Sequence, residues 1–147
     1  MIKGKIYTDK INAAMTKAIN NGLKAACIMV EGQAVSLVPV DSGRLKGSIT
    51  WKTESDHGDT VNRETEGDIK LKTPVKKNQG IVGTNVEYAP YVEYGTTPSF
   101  GTKIVNLFKG KKTRKGMKGR SYLRKALDIR KKDITKMFKV SIDGALK

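Results

Sequence analysis

Apolar residues in the first third of the chain recur at three- and four-residue steps. Ile11, Met15, Ala18, Ile19, Leu23, Ala26 and Val30 follow a helical period, while Lys10, Lys17 and Lys24 return every seven positions on another face. The pattern predicts a helix from about residue 9 to residue 37, roughly 40 Å long at 1.5 Å per residue. Thr8 or Asp9 suits its N-cap, and Pro39 stops it, because the residue before a proline avoids the α region. Gly22 and Gly32 weaken it, so a bend or a break is expected.

The middle of the chain changes period. Ile49 and Trp51 alternate with Thr50 and Lys52, Ile69 and Leu71 with Lys70 and Lys72, and residues 80–86 (GIVGTNV) form a third β-like run. Residues 53–68, TESDHGDTVNRETEGD, hold six of the chain's fourteen acids and no apolar period. They read as an exposed, mobile hairpin loop. Residues 101–120 hold eight basic residues, four glycines and no acid, a composition that repels itself and predicts a long flexible loop. After it the helical period returns with Leu123, Ala126, Leu127, Ile134, Met137, Phe138 and Ile142, a charged interval at Arg130, Lys131 and Lys132, and Ser121 as N-cap. The expected class is α+β: a long N-terminal helix and a C-terminal helix packed on a small antiparallel sheet of three or four strands.

A chain of 147 residues suits a single domain, 1–147, with mobile loops at about 53–68 and 101–120. The N-terminal MIKGKIYTDK has no apolar signal region, and no run of 18 apolar residues occurs, so an intracellular soluble protein with no membrane contact is expected. The net charge of +15 is unevenly placed: residues 1–100 carry 13 Lys/Arg against 11 Asp/Glu, residues 101–147 carry 16 against 3. Such asymmetry favours an acidic partner without choosing among nucleic acid, an anionic surface and another protein's carboxylates.

Catalytic chemistry finds little support. His57, flanked by Asp56 and Asp59, suggests a metal site or an acid/base pair, but a solvated loop explains it better, since no further His and no cysteine pair completes a ligand set. Cys27, the single cysteine, lies near the apolar stripe of the first helix and reads as a buried structural thiol, with no disulfide to make. No phosphate loop, dinucleotide fingerprint or zinc-protease motif is present, so no enzyme, metal or cofactor is expected. The basic stretch, with Lys109, Lys111, Lys112, Arg114 and Lys115 and with Phe100 and Phe108 for stacking, could neutralise phosphates or serve as a partner-docking arm. A basic nucleic-acid-binding protein is the alternative this leaves open.

Two short stretches carry more. In VPVDSGRLKGSI, residues 38–49, Pro39 ends the helix, Asp41 can accept from the next turn's amides, Gly43 and Gly47 allow a tight turn, and Arg44 projects from the corner, suited to a bidentate carboxylate contact. In EYAPYVEYGT, residues 87–96, Pro90 can open a short helix and Gly95 can close it. Tyr88, Tyr91 and Tyr94 would then form a nearly one-sided ridge with Glu87 and Glu93 beside it. The ridge suits an interface, and equally a cover for the subunit's own sheet.

With GRSYLRKAL further on, these stretches in this order resemble the small neck or tail-completion proteins of long-tailed bacteriophages. Residues 39–45, 88–96 and 122–127 carry the likeness, which extends from about residue 10 to the end. The resemblance implies a non-enzymatic structural protein of the virion, made in the host cytoplasm and acting at the head–tail junction. It implies self-association into a ring, of six or twelve copies, beside head-completion, connector or tail-tube proteins, with transient contact to genomic DNA. Arg44, Glu87, Tyr88, Tyr91, Glu93 and Tyr94 become interface candidates, Arg44 pairing with Glu93 or Glu87 within the chain or across a subunit boundary. The chain departs from the pattern in its long basic stretch after Gly95-Thr96. A neighbouring ring's carboxylates suit that stretch better than DNA, because a strongly basic lumen would hold back DNA that has to slide.

Overall fold

A computed structural model describes residues 3–58, 71–96 and 116–145. Helix α1, Lys3–Leu37, starts six residues before the expected point, so Thr8 and Asp9 lie within it and do not cap it. At 1.5 Å per residue its 35 residues span about 52 Å. The helix runs unbroken through both glycines. Gly22 has a packing reason: it is buried, and a Cβ there would stand 2.8 Å from the ring of Phe138.

After Leu37 the chain turns at Gly43, whose φ of +81° is the left-handed conformation that glycine adopts without a steric cost. The short helix α2, Arg44–Ser48, follows with no side-chain cap, so the capping role expected of Asp41 is not taken. Strand β1, Thr50–Thr53, pairs antiparallel with β2, Gly80–Gly83, in the register Thr50 opposite Gly83 and Thr53 opposite Gly80. Among the described residues the sheet has two strands, not three or four. Of the expected intervening strand, Ile69 and Lys70 lie outside the described residues, and Leu71 and Lys72 are not in a strand. The acidic stretch is described only as far as Gly58, and residues 59–68 lie outside. The described part turns tightly, with Thr53 Oγ1 donating to the Asp56 carbonyl and the Gly58 amide returning to the Trp51 carbonyl.

Helix α3, Ala89–Tyr94, and helix α4, Tyr122–Ala145, complete the described chain. The start of α4 packs beside the end of α1, where Val30, Ala34 and Val38 meet Tyr122 and Ala126, while Phe138 reaches back to Gly22. The two long helices are therefore antiparallel, and their contact is the most extensive in the fold. The sheet rests on α1, close enough at Gly80 that a side chain there would overlap the Cys27 sulfur. Burial, with Glu31 nearby, pushes the Cys27 thiol up to about 11, and burial also raises the Glu31 carboxyl. The class is α+β and mostly helical.

Candidate functional site

The two stretches singled out in the sequence, and the helix start after them, meet around one core. Leu45 and Ile49 come from the first, Ala89 from the second with Val86 just before it, and Tyr122 and Ala126 from α4, all of them buried. What joins the second to the third is Glu93. It is only 6% exposed, and its carboxylate reaches the first turn of α4. Oε2 accepts the Leu123 amide at 2.9 Å and Oε1 the Arg124 amide at 3.2 Å. A helix leaves its first amides without intrahelical acceptors, and a carboxylate also complements the partial positive charge there.

Ser121 does hold the N-cap position, since its carbonyl accepts the Lys125 amide. Its side chain, however, bonds the Glu93 carbonyl at 3.3 Å, and its φ is +48°. The cap expected from Ser121 is thus supplied across space by Glu93.

Backbone bonds hold the segment before α4 against the end of α3. The Arg120 amide donates to the Val92 carbonyl, the Ser121 amide to that of Glu93, and the Thr96 amide to that of Met117. Gly95 and Gly119 make the approach feasible, because a Cβ on either would overlap the other segment's backbone.

The arrangement gives α3 a defined polarity. Ala89 and Glu93 face inward, while Tyr88 and Tyr94 are exposed and Tyr91 is half-buried. The tyrosines do not cover the sheet as a sealed core. Periodicity alone could not reveal that a glutamate was the buried member; the clue was the run of amides opening the next helix.

Between α3, the β2–α3 connection and the start of α4 lies a cleft of about 390 Å³. Glu87, Glu93 and Tyr94 line it together with apolar Val86, Pro90 and Leu123. Tyr122 forms part of its wall. The Tyr122 hydroxyl is buried and has no hydrogen-bond partner among the described residues. Burial, then the Glu93 carboxylate and the Tyr88 and Tyr94 phenols, push its pKa up to about 12. Arg44 is exposed at the first position of α2. Lys109, Lys111, Lys112, Arg114 and Lys115 lie outside the described residues.

Elsewhere, His57 is exposed and its backbone pairs with Lys52. Among the described residues no group of three or more His, Cys, Asp or Glu gathers as a metal would require. None of the described helices is long and apolar enough to cross a membrane.

The site is thus one of clamped backbone, exposed aromatic rings and a carboxylate-lined hollow. Comparison with known families gives its class: residues 7–95 match a family of phage tail components. That family is the HK97-gp10-like one, described as "Bacteriophage HK97-gp10, putative tail-component". The match spans more than half of the chain, and the chain belongs to this family. No curated protein and no solved structure matches it. The matched span ends before α4, yet the Glu93 carboxylate ties that helix to it.

Proposed function

We propose that this structural phage protein acts at the head–tail junction, as a neck or tail-completion subunit that forms a ring of identical copies. The observation that carries the reading is the outward set of tyrosines. Tyr94, the last residue of α3, is 54% exposed, and Tyr88, its N-cap, is 38% exposed. Exposed tyrosine is well suited to a subunit contact, offering large apolar area with a polar tip.

In this reading the chain acts as one unit over residues 1–147 and performs no catalysis. Arg44, at the first position of α2, pairs with a carboxylate, Glu93 or Glu87, in its own subunit or its neighbour. Sedimentation velocity and negative-stain imaging of the full chain test the ring. Discrete closed rings are expected, and a chain that stays monomeric at every concentration contradicts the reading. In phage, loss of the protein should leave filled heads and complete tails unjoined. Normal joining without it would place its work elsewhere.

A further inference from the structure

The cleft beside Glu93 differs in chemistry from the rest of the chain. The molecule has a formal net charge of +15, yet no Lys or Arg lines the cleft, whereas Glu87 and Glu93 do. Tyr94 offers an exposed ring, and the buried Tyr122 oxygen has no partner among the described residues. Carboxylates, an aromatic face and an unused phenol oxygen are together what a cationic side chain takes up.

The complementary chemistry stands on the outward side of α4. Lys125, Lys132, Lys136 and Lys139, at steps of seven, four and three, are all exposed. At about 100° per residue they share one face, and they extend along about 21 Å of helix. Asp128 borders that face and Asp143 lies on it one turn beyond Lys139, but residues 116–145 carry nine Lys/Arg against three Asp. Lys125 also lines a second hollow, of about 580 Å³, with Lys118 and Arg120. Leu123, in the cleft wall, points to the opposite side of the helix from the lysines.

We propose that the cleft of one subunit receives lysine side chains from α4 of a second copy, so that the site is complete only between two subunits. The proposal rests on the ring reading above. Duplex DNA could neutralise the lysines, but it would leave the exposed Glu87 carboxylate and the Tyr122 hydroxyl unanswered, Glu93 being already engaged by the two α4 amides. A second copy answers both. Because donor and acceptor surfaces lie on opposite sides of α4, the contact is heterologous: each subunit gives lysines to one neighbour and receives them from another. Contacts of that type close into rings when the rotation permits.

Reversing charge on each side separately provides the test. Glu87→Lys and the double variant Lys132→Glu/Lys136→Glu change exposed positions only, so both should melt like the wild type. Each alone should self-associate at least about tenfold more weakly in sedimentation velocity, since like charges then face each other. An equimolar mixture should recover assembly, because each variant's altered surface now fits the other's. Should Glu87→Lys unfold, Glu87→Gln replaces it and should give a smaller loss of the same kind. Undiminished assembly of either charge-reversed variant, or a mixture that stays monomeric, overturns the proposal while wild-type rings leave the ring reading standing. A monomeric wild type overturns both. Lysine reversal that abolishes binding to duplex DNA while leaving self-association intact assigns the stripe to nucleic acid and overturns the proposal.

Discussion

Glu93 caps a helix that begins almost thirty residues later, its Oε2 accepting the Leu123 amide at 2.9 Å. A local cap ties a helix to its own preceding residue. This one ties α4 to α3, so the helix start and the family's tyrosine segment are held as one piece.

Removing that carboxylate should loosen both. Glu93→Ala leaves two amides without their acceptor in a part-buried place, at a cost of about 2 kcal/mol. Glu93→Gln keeps one acceptor oxygen and should lose about half as much. Urea denaturation at unchanged m-value measures both. A Glu93→Ala variant with the wild-type midpoint would show that the bonds contribute nothing.

Gly22→Ala should destabilise although alanine is the better helix former. Propensity favours alanine by about 1 kcal/mol, but overpacking a ring at van der Waals distance costs about 1–3 kcal/mol. The sign should reverse in a Phe138→Leu background, where the added methyl has room. Thermal melts of the four proteins of this double-mutant cycle decide it. An equal effect in both backgrounds would mean the ring is not the obstacle.

Tyr122→Phe should stabilise the free subunit by about 1 kcal/mol, because it removes a buried hydroxyl with no partner. It should also alter the alkaline limb. The folded-state pKa is raised from the ordinary 10.0 to about 12, so the unfolded chain loses this proton first. The stabilisation is complete below pH 10 and is lost as pH rises toward 12. The phenylalanine variant should show a shallower fall over that window in melts from pH 9 to 12. If the cleft holds a neighbour's lysine, the same variant associates more weakly while melting higher, a combination that loss of packing cannot produce.

Tyr94→Ala should leave the melting temperature of the subunit nearly unchanged, its side chain being more than half exposed, yet impair ring formation. Tyr91→Ala should lower both, assembly more than stability, because Tyr91 is half-buried. Assembly that tracks the melting temperature in both variants would return the tyrosines to a structural role.

Much of the architecture was legible from periodicity. The stripe from Ile11 to Val30 announces α1, and that from Leu123 to Ile142 announces α4, because an amphipathic helix repeats its burial every three or four residues. Ile49–Trp51 and residues 80–86 foretell the two strands that pair. Relations between distant residues were not legible. Gly22 reads as a weak point in a helix until Phe138 is known to need its missing Cβ. Ser121 has the composition of a cap, but its φ of +48° accompanies a side chain bonded to Glu93 instead of the helix amides. Leu127 fits the apolar stripe by spacing, between Ile134 and Phe138 on the helical wheel, yet stands 52% exposed, which spacing alone does not explain. In the candidate site, composition marked the tyrosines and concealed the glutamate, because burial of a carboxylate depends on donors that arrive from elsewhere in the chain.

Thr96 and Met117 sit side by side, the Thr96 amide bonded to the Met117 carbonyl at 2.8 Å and the Met117 amide to Thr96 Oγ1 at 2.7 Å. The chain is therefore brought back on itself at these two residues and stitched there by its own hydrogen bonds. The entropy of closing such a loop grows only with the logarithm of its length. The clasp thus tolerates a change in the number of residues between its two ends, which alters its closure entropy only slightly.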